Sequence, residues 1–381
     1  MSLDPSVPEP VLSDPDTGQP LSARPLGTVD PTIVPDPSGP PKATVSPAVA
    51  TLVDQLLDEL GVDRDRRIAR ELLTSAAGLL GGRPATIDLK IAATAVHEMG
   101  DAYAMFANYR DEKKVSVFGS ARTVSHDPLW AAAKQVAERL AAEGWMVITG
   151  AGPGIMQAAM EGAGRERSIG VSIRLPFEQR ANPIIDGDVK YVSMKYFFTR
   201  KLMLIKESLG FVCLPGGFGT LDETFELLTL TQTGKGAPVP IVFLDTPGDP
   251  YWERVHEFVE QQLVARGLVA PADTKLYLVT DDADRAVDEI VRFYANYDSL
   301  RFVGDLLILR LRHPVTDDQL EQLNASFGHL CKAGTITRVD PLEPERRERD
   351  KLDLHRIGFV FARHGFGDLR ALIDTLNSFV L

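Results

Sequence analysis

"WMVITGAGPGIMQAAMEGAGRERSIGVSIRLP", residues Trp145 to Pro176, changes its hydrophobic period twice. A short β-prone run, "WMVIT", ends in a glycine loop; the loop opens a stretch with helical spacing, and a second β-prone run, "SIGVSI", follows. Two strands joined through a helix form a parallel pair, because a parallel connection needs a crossover of a dozen or more residues.

Units of this kind extend to both sides. Upstream stand "KVSVFGSA" and the helical "PLWAAAKQVAERLAAEG"; downstream come "VKYVSM", helix "KYFFTRKLMLIKESLG", "FVCLPGG", helix "GTLDETFELLTLTQTG", "VPIVFLD" and helix "PYWERVHEFVEQQLVARG". The predicted fold class is therefore α/β, a Rossmann-like doubly wound parallel sheet, in which ligands bind at the carboxyl ends of the strands. Residues 47–110 read as an N-terminal helical extension: "VATLVDQLLDELG" sets Leu52, Leu56, Leu57 and Leu60 on one stripe that needs a partner. Residues 1–46 are rich in Pro, Ser, Asp and Thr without apolar periodicity, the composition of a disordered arm. The sheet domain is assigned to 111–298. Residues 299–381, read as strand, helix, strand, strand, helix, make a small α+β, ferredoxin-like unit with a possible regulatory role. Its mixed-charge run Glu343 to Lys351 reads as a solvated hairpin without function.

A net charge of −12 argues against nucleic-acid or anionic-membrane partners, which need clustered cations. The two cysteines give no disulfide framework; Cys213, in "GFVCLP", reads as a core thiol. The scattered histidines show no metal spacing, so neither metal nor cofactor is expected. No basic and apolar leader opens the sequence and no run is long enough to span a bilayer, which places the protein in the cytoplasm.

Three glycine loops follow strands: "FGSA", "TGAGPG" and "PGGFGT". Glycines there let backbone amides approach an oxyanion while the next helix offers its positive end. The dinucleotide fingerprint is not met, since Arg174 stands where an acidic residue should close the next strand, and a nucleoside triphosphate loop is absent. Thr220 and Glu223 match a helix capping box, a structural explanation for the acidic "LDETFE" after the third loop. If that loop instead binds phosphate, the acids need nearby cations, which "FFTRKLM" supplies. On that helix Phe198, Leu202, Ile205 and Leu209 form the expected core stripe and Arg200 is left to a cleft.

Together "VFGSAR", "TGAGPGIMQAAMEGA", "LPFEQRANP", "YFFTRKLM" and "LPGGFGTLDETFELLTLTQTGK" resemble the Lonely Guy (LOG) family of nucleoside 5′-monophosphate phosphoribohydrolases, often mislabelled lysine decarboxylases. The resemblance runs from about Val115 to Val291 and includes PGGxGTxxE with its upstream Arg-Lys; Ala151 departs from the family's usual glycine, and its methyl is expected to narrow the pocket. It implies hydrolysis of AMP or N6-substituted AMP (cytokinin nucleotides) to free base and ribose 5-phosphate. It further implies catalysis by Arg200 and Glu223, and substrate binding by Gly119, Ser120, Gly152, Gly154, Met156, Lys201, Gly216, Gly217, Gly219 and Thr220. Asp222 and Glu226 remain alternatives to Glu223. A homodimer or higher homo-oligomer is implied as well. The competing reading is a LOG-like nucleotide sensor without catalysis.

Overall fold

The computed structural model describes residues 45–175 and 181–381, so the Pro-rich arm up to residue 44 and the centre of "LPFEQRANP" lie outside the described residues. Seven parallel strands form the main sheet: β1 (Lys114–Phe118), β2 (Met146–Thr149), β3 (Ser168–Ile173), β4 (Tyr191–Met194), β5 (Phe211–Cys213), β6 (Ile241–Leu244) and β7 (Leu278–Thr280). Their spatial order is β4-β3-β2-β1-β5-β6-β7, so the chain winds outward from β1 in both directions and reverses between β1 and β5. That reversal opens a crevice at the carboxyl ends of the strands.

Three helices precede the sheet, α1 (Pro47–Glu59), α2 (Arg66–Gly81) and α3 (Thr86–Phe106). The sheet's crossovers are α4 (Pro128–Ala142), α5 (Ile155–Ala163), α6 (Phe197–Lys206), α7 (Phe218–Gln232) and α8 (Tyr251–Phe258), and α9 (Ala283–Arg292) follows its last strand. The strands are apolar and enclosed on both faces, as a parallel sheet requires: all of β1, β2, β5 and β6 is buried, Cys213 included. In α1 it is Val53 and Leu57 that are buried, while Leu52, Leu56 and Leu60 stay exposed.

The C-terminal unit opens with a hairpin, β8 (Tyr297–Val303) and β9 (Leu306–Leu311), followed by α10 (Asp317–Phe327), β10 (Cys331–Arg338), α11 (Glu343–Glu348), β11 (His355–Phe361) and α12 (Phe366–Ser378). Its antiparallel sheet runs β10-β11-β9-β8: β9, α10 and β10 make a split β-α-β with β11 inserted between the two strands, and β8, ahead of the order read from the sequence, adds an edge strand beside β9. The boundary placed at 299 falls inside β8, whose mixed polar pattern hid it. One continuous core joins this sheet to the main one through Phe293, Tyr294 and Tyr297.

The charge run Glu343 to Lys351 is not a solvated hairpin. It forms α11, and Glu345 within it is fully buried against Arg310 and Arg356. No helix among the described residues is long and apolar enough to cross a membrane.

Candidate active site

A cleft of about 1000 Å³ lies over the carboxyl ends of β1 to β5. On one side it is lined by Gly119, Ser120 and Arg122 after β1 and by Gly216, Gly217, Phe218, Gly219 and Thr220 after β5. The two loops are tied together by the Ser120 amide, which donates to the Pro215 carbonyl at 3.2 Å. Tyr251 at the start of α8 donates its hydroxyl to the Gly216 carbonyl at 2.7 Å and fixes the glycine loop from outside.

Helix α7 begins at Phe218 with Gly217 as its cap, three residues earlier than a Thr220 capping box would require. Thr220 and Glu223 are thus inside the helix and the capping explanation fails. The first-turn amides, which have no intrahelical acceptor, belong to residues lining the cleft. A side chain added at Gly216 would come 2.2 Å from Thr220 Oγ1, whereas positions 217 and 219 face open space.

Glu223 meets Arg200 across the cleft floor, with Nη1 to Oε1 at 2.8 Å, and both side chains are about nine-tenths buried. Arg200 reaches this position because α6 buries Thr199, Arg200, Met203 and Leu204. The apolar stripe expected to be core lies mostly outward instead: Phe198, Leu202 and Leu209 are exposed, and of the four only Ile205 packs against the core. The Arg200 Nε donates to the Val171 carbonyl at 3.3 Å, so the guanidinium lies over β3. Gly150 makes room for it, since a Cβ there would approach Nη2 to 2.7 Å.

Lys201 is not among the residues lining the cleft; it pairs with Asp222, which does line it, and with Glu226, each at 2.7 Å. Two ion-pair sets therefore bind α6 to α7, and every acid in the first turns of α7 has a cation. Against the cost of burial, the two carboxylates hold Lys201 above the usual lysine range. Burial pushes Glu223 above the usual carboxylate range, with Arg200 and Lys201 offsetting this only in part.

Of the remaining sequence-selected residues, Met156 lines the cleft, but Gly152 and Gly154 do not. Gly154 adopts φ 68° and packs against the Ser120 and Ala121 backbone, which lets the β2 and β1 loops meet. Ala151 also has positive φ, 57°, yet its methyl is buried beside Met160 and Ile185 and does not narrow the cleft. The sequence reading missed Gly150, Ser172, Tyr191, Ser193 and Tyr251, and did not place Arg174 in the cleft.

Glu98 on α3 was missed as well. It is buried, accepts from the Lys195 amide and, at 2.7 Å, from the Thr199 hydroxyl, and pairs with Arg174 at 2.9 Å. It thereby caps the start of α6, the helix that carries Arg200. Although burial opposes its charge, these donors hold its carboxyl below the usual range. Nothing in the sequence set it apart, since α3 also carries Asp88 and Asp101.

The doubly wound sheet and its crevice define an α/β protein in which a buried carboxylate–guanidinium pair lies beside a glycine-rich helix start in one cleft. Comparison narrows the class. Residues 154–290 match a family model described as "Possible lysine decarboxylase". The chain is 29% identical over 174 residues to the probable cytokinin riboside 5′-monophosphate phosphoribohydrolase LOGL3 of Oryza sativa subsp. japonica, covering 44% of this chain and 78% of that protein. It is 32% identical over 125 residues to the probable enzyme LOG6 of Arabidopsis thaliana, covering 32% of this chain and 61% of that protein. A solved structure similar to it is the molybdenum cofactor carrier protein of Chlamydomonas reinhardtii, at 21% identity and TM-score 0.33, covering 47% of this chain and 98% of that one. The resemblance to the LOG family is borne out by the family-model match and these curated relatives.

One consequence of the Glu223 environment is testable by pH. If the ionised carboxylate is the working form, activity falls on acidification as Glu223 takes up a proton, and a raised pKa moves that loss upward. The acid limb of kcat/KM is expected above the value of about 4.3 typical of glutamate. Lys201→Met, which removes one of the two cations lowering that pKa, should shift the limb higher still. A limb at or below the ordinary glutamate value, or one unmoved by the substitution, would contradict this assignment.

Proposed function

We propose that this protein hydrolyses the N-glycosidic bond of nucleoside 5′-monophosphates, with AMP and N6-substituted AMP (cytokinin nucleotides) in the substrate class, to free base and ribose 5-phosphate. The observation that carries this reading is the buried Arg200–Glu223 pair set directly beside the glycine-rich start of α7. The phosphate rests on the amides of Gly216, Gly217, Gly219 and Thr220, where the helix end favours an anion. The sugar then lies over Glu223.

Cleavage breaks the bond between C1′ and the base nitrogen, the electron pair leaving with the base while positive charge develops on the ribose. Glu223 stabilises that charge and accepts a proton from the water whose oxygen bonds to C1′. Arg200, a fixed planar donor, assists departure of the base, which takes up a proton. A cytoplasmic homodimer is part of the proposal: Phe197, Phe198 and Leu202 on α6 and Phe218 on α7, the last 93% exposed, give an apolar surface beside the cleft that a second copy would cover.

The test is a panel of AMP, GMP, CMP and N6-isopentenyl-AMP, with free base and ribose 5-phosphate quantified. Equimolar release of both is expected. Nucleotide binding without release would replace the hydrolase with the sensor reading.

A further inference from the structure

Arg174 directly follows β3 at the cleft, and nothing in the proposed chemistry uses it. Resting on the nucleotide-hydrolase reading, the order of groups across the cleft gives it a task. The glycine loop follows β5, and β3 lies three strand spacings away through β1 and β2, roughly 14 Å at ~4.8 Å per strand. Between them sit Arg200 and Glu223, with Arg200 held on the β3 carbonyl of Val171. Phosphate at the β5 end and scission in the middle leave the β3–β4 end for the base.

That end has a distinct chemistry. It presents the hydroxyls of Ser172, Tyr191 and Ser193, the first two joined to each other at 2.8 Å, and the Arg174 guanidinium. Arg174 is not a free cation, because Glu98 from α3 takes one guanidinium nitrogen at 2.9 Å. The pair is neutral overall, so this end offers a positioned donor fork without net charge. Such a fork suits a neutral acceptor better than a second phosphate.

We propose that Arg174, positioned by Glu98 across the cleft edge, is a specificity-determining residue that reads the O6 and N7 acceptors of a 6-oxopurine base, making guanine and hypoxanthine monophosphates preferred within the substrate class. A 6-oxopurine presents two adjacent acceptors to an arginine fork, whereas adenine places an amino donor at position 6. A donor facing a donor leaves both unpaired, which a cleft discriminates against strongly. Glu98 lies before residues 154–290, the part matched by the family model, so the N-terminal extension contributes to selectivity.

The experiment measures kcat/KM and equilibrium Kd for GMP, IMP and AMP with the full chain, Arg174→Ala and Arg174→Lys. The unsubstituted protein should favour GMP and IMP over AMP by about tenfold or more, the scale of one two-pronged arginine–base contact. Both variants should bring the ratio close to one, lysine included, because it keeps the charge and loses the fork. A ratio near one in the unsubstituted protein, or a ratio kept by either variant, overturns the proposal. If no nucleotide is cleaved, the hydrolase reading fails separately, and the Kd ratios still decide the role of Arg174.

Discussion

Replacing Glu223 by glutamine is expected to lower kcat by about 100-fold to 10,000-fold, the range for loss of a positioned acid–base group. The amide keeps the size of the side chain and can still accept from Arg200, so the floor of the cleft stays filled. It cannot take a proton from water, and it carries no charge to oppose the one developing on the ribose. KM should change far less, because the proposed phosphate contacts are backbone amides that the substitution does not touch. A thermal unfolding curve recorded alongside separates chemistry from folding, since the change also leaves the buried Arg200 without its anion. A variant retaining more than a tenth of kcat would remove Glu223 from the mechanism and return attention to Asp222. That residue is 60% exposed and tied to Lys201.

What the sequence disclosed, and what it hid, follows from the range of the interactions involved. The β-α alternation and the glycine loops are local, and the winding of β1 to β6 could be read from them. Arg200 and Glu223 were accessible because their motifs are compact and belong to a recognisable family pattern. The face of α6 was read inside out. Apolar periodicity assigns the core to the side with more carbon, but here the buried side carries Thr199 and Arg200 to serve the site, and the phenylalanines are left outside. Glu98 is 76 positions from Arg174 and 101 from Thr199, so no local pattern connects them. Strand β7 has only three residues and β8 mixes Asp298, Ser299 and Arg301 with its apolar positions, which obscures a period of two.

The same long reach hid the charged centre of the C-terminal unit, where the second large effect is expected. Glu345 has no solvent exposure and accepts from Arg310 Nε at 2.9 Å and Nη2 at 2.7 Å, from Arg356 Nε at 3.3 Å and from the Leu342 amide at 3.0 Å. Arg310 and Arg356 are themselves buried, and Arg310 also reaches Asp350 at 2.6 Å. Glu345→Gln leaves two buried guanidiniums facing one carboxylate. Breaking such a set costs about 3–5 kcal/mol, a large part of the 5–15 kcal/mol that typically separates folded from unfolded chains. A fall in Tm of roughly 4–7 °C is expected. Because the C-terminal sheet shares its core with the main sheet, the loss should appear in the unfolding of both.

The pH dependence has a definite sign. Burial opposes the charge, but the Leu342 amide and the two arginines hold the Glu345 carboxyl below its usual range. Its stabilising contribution is therefore complete above the unfolded value of about 4.3 and is lost as pH falls through the lower folded value. The unsubstituted protein and Glu345→Gln should differ most near neutrality and converge in acid. Equal melting temperatures at neutral pH, or a gap that widens on acidification, would show that the network is not what holds α11 against the sheet.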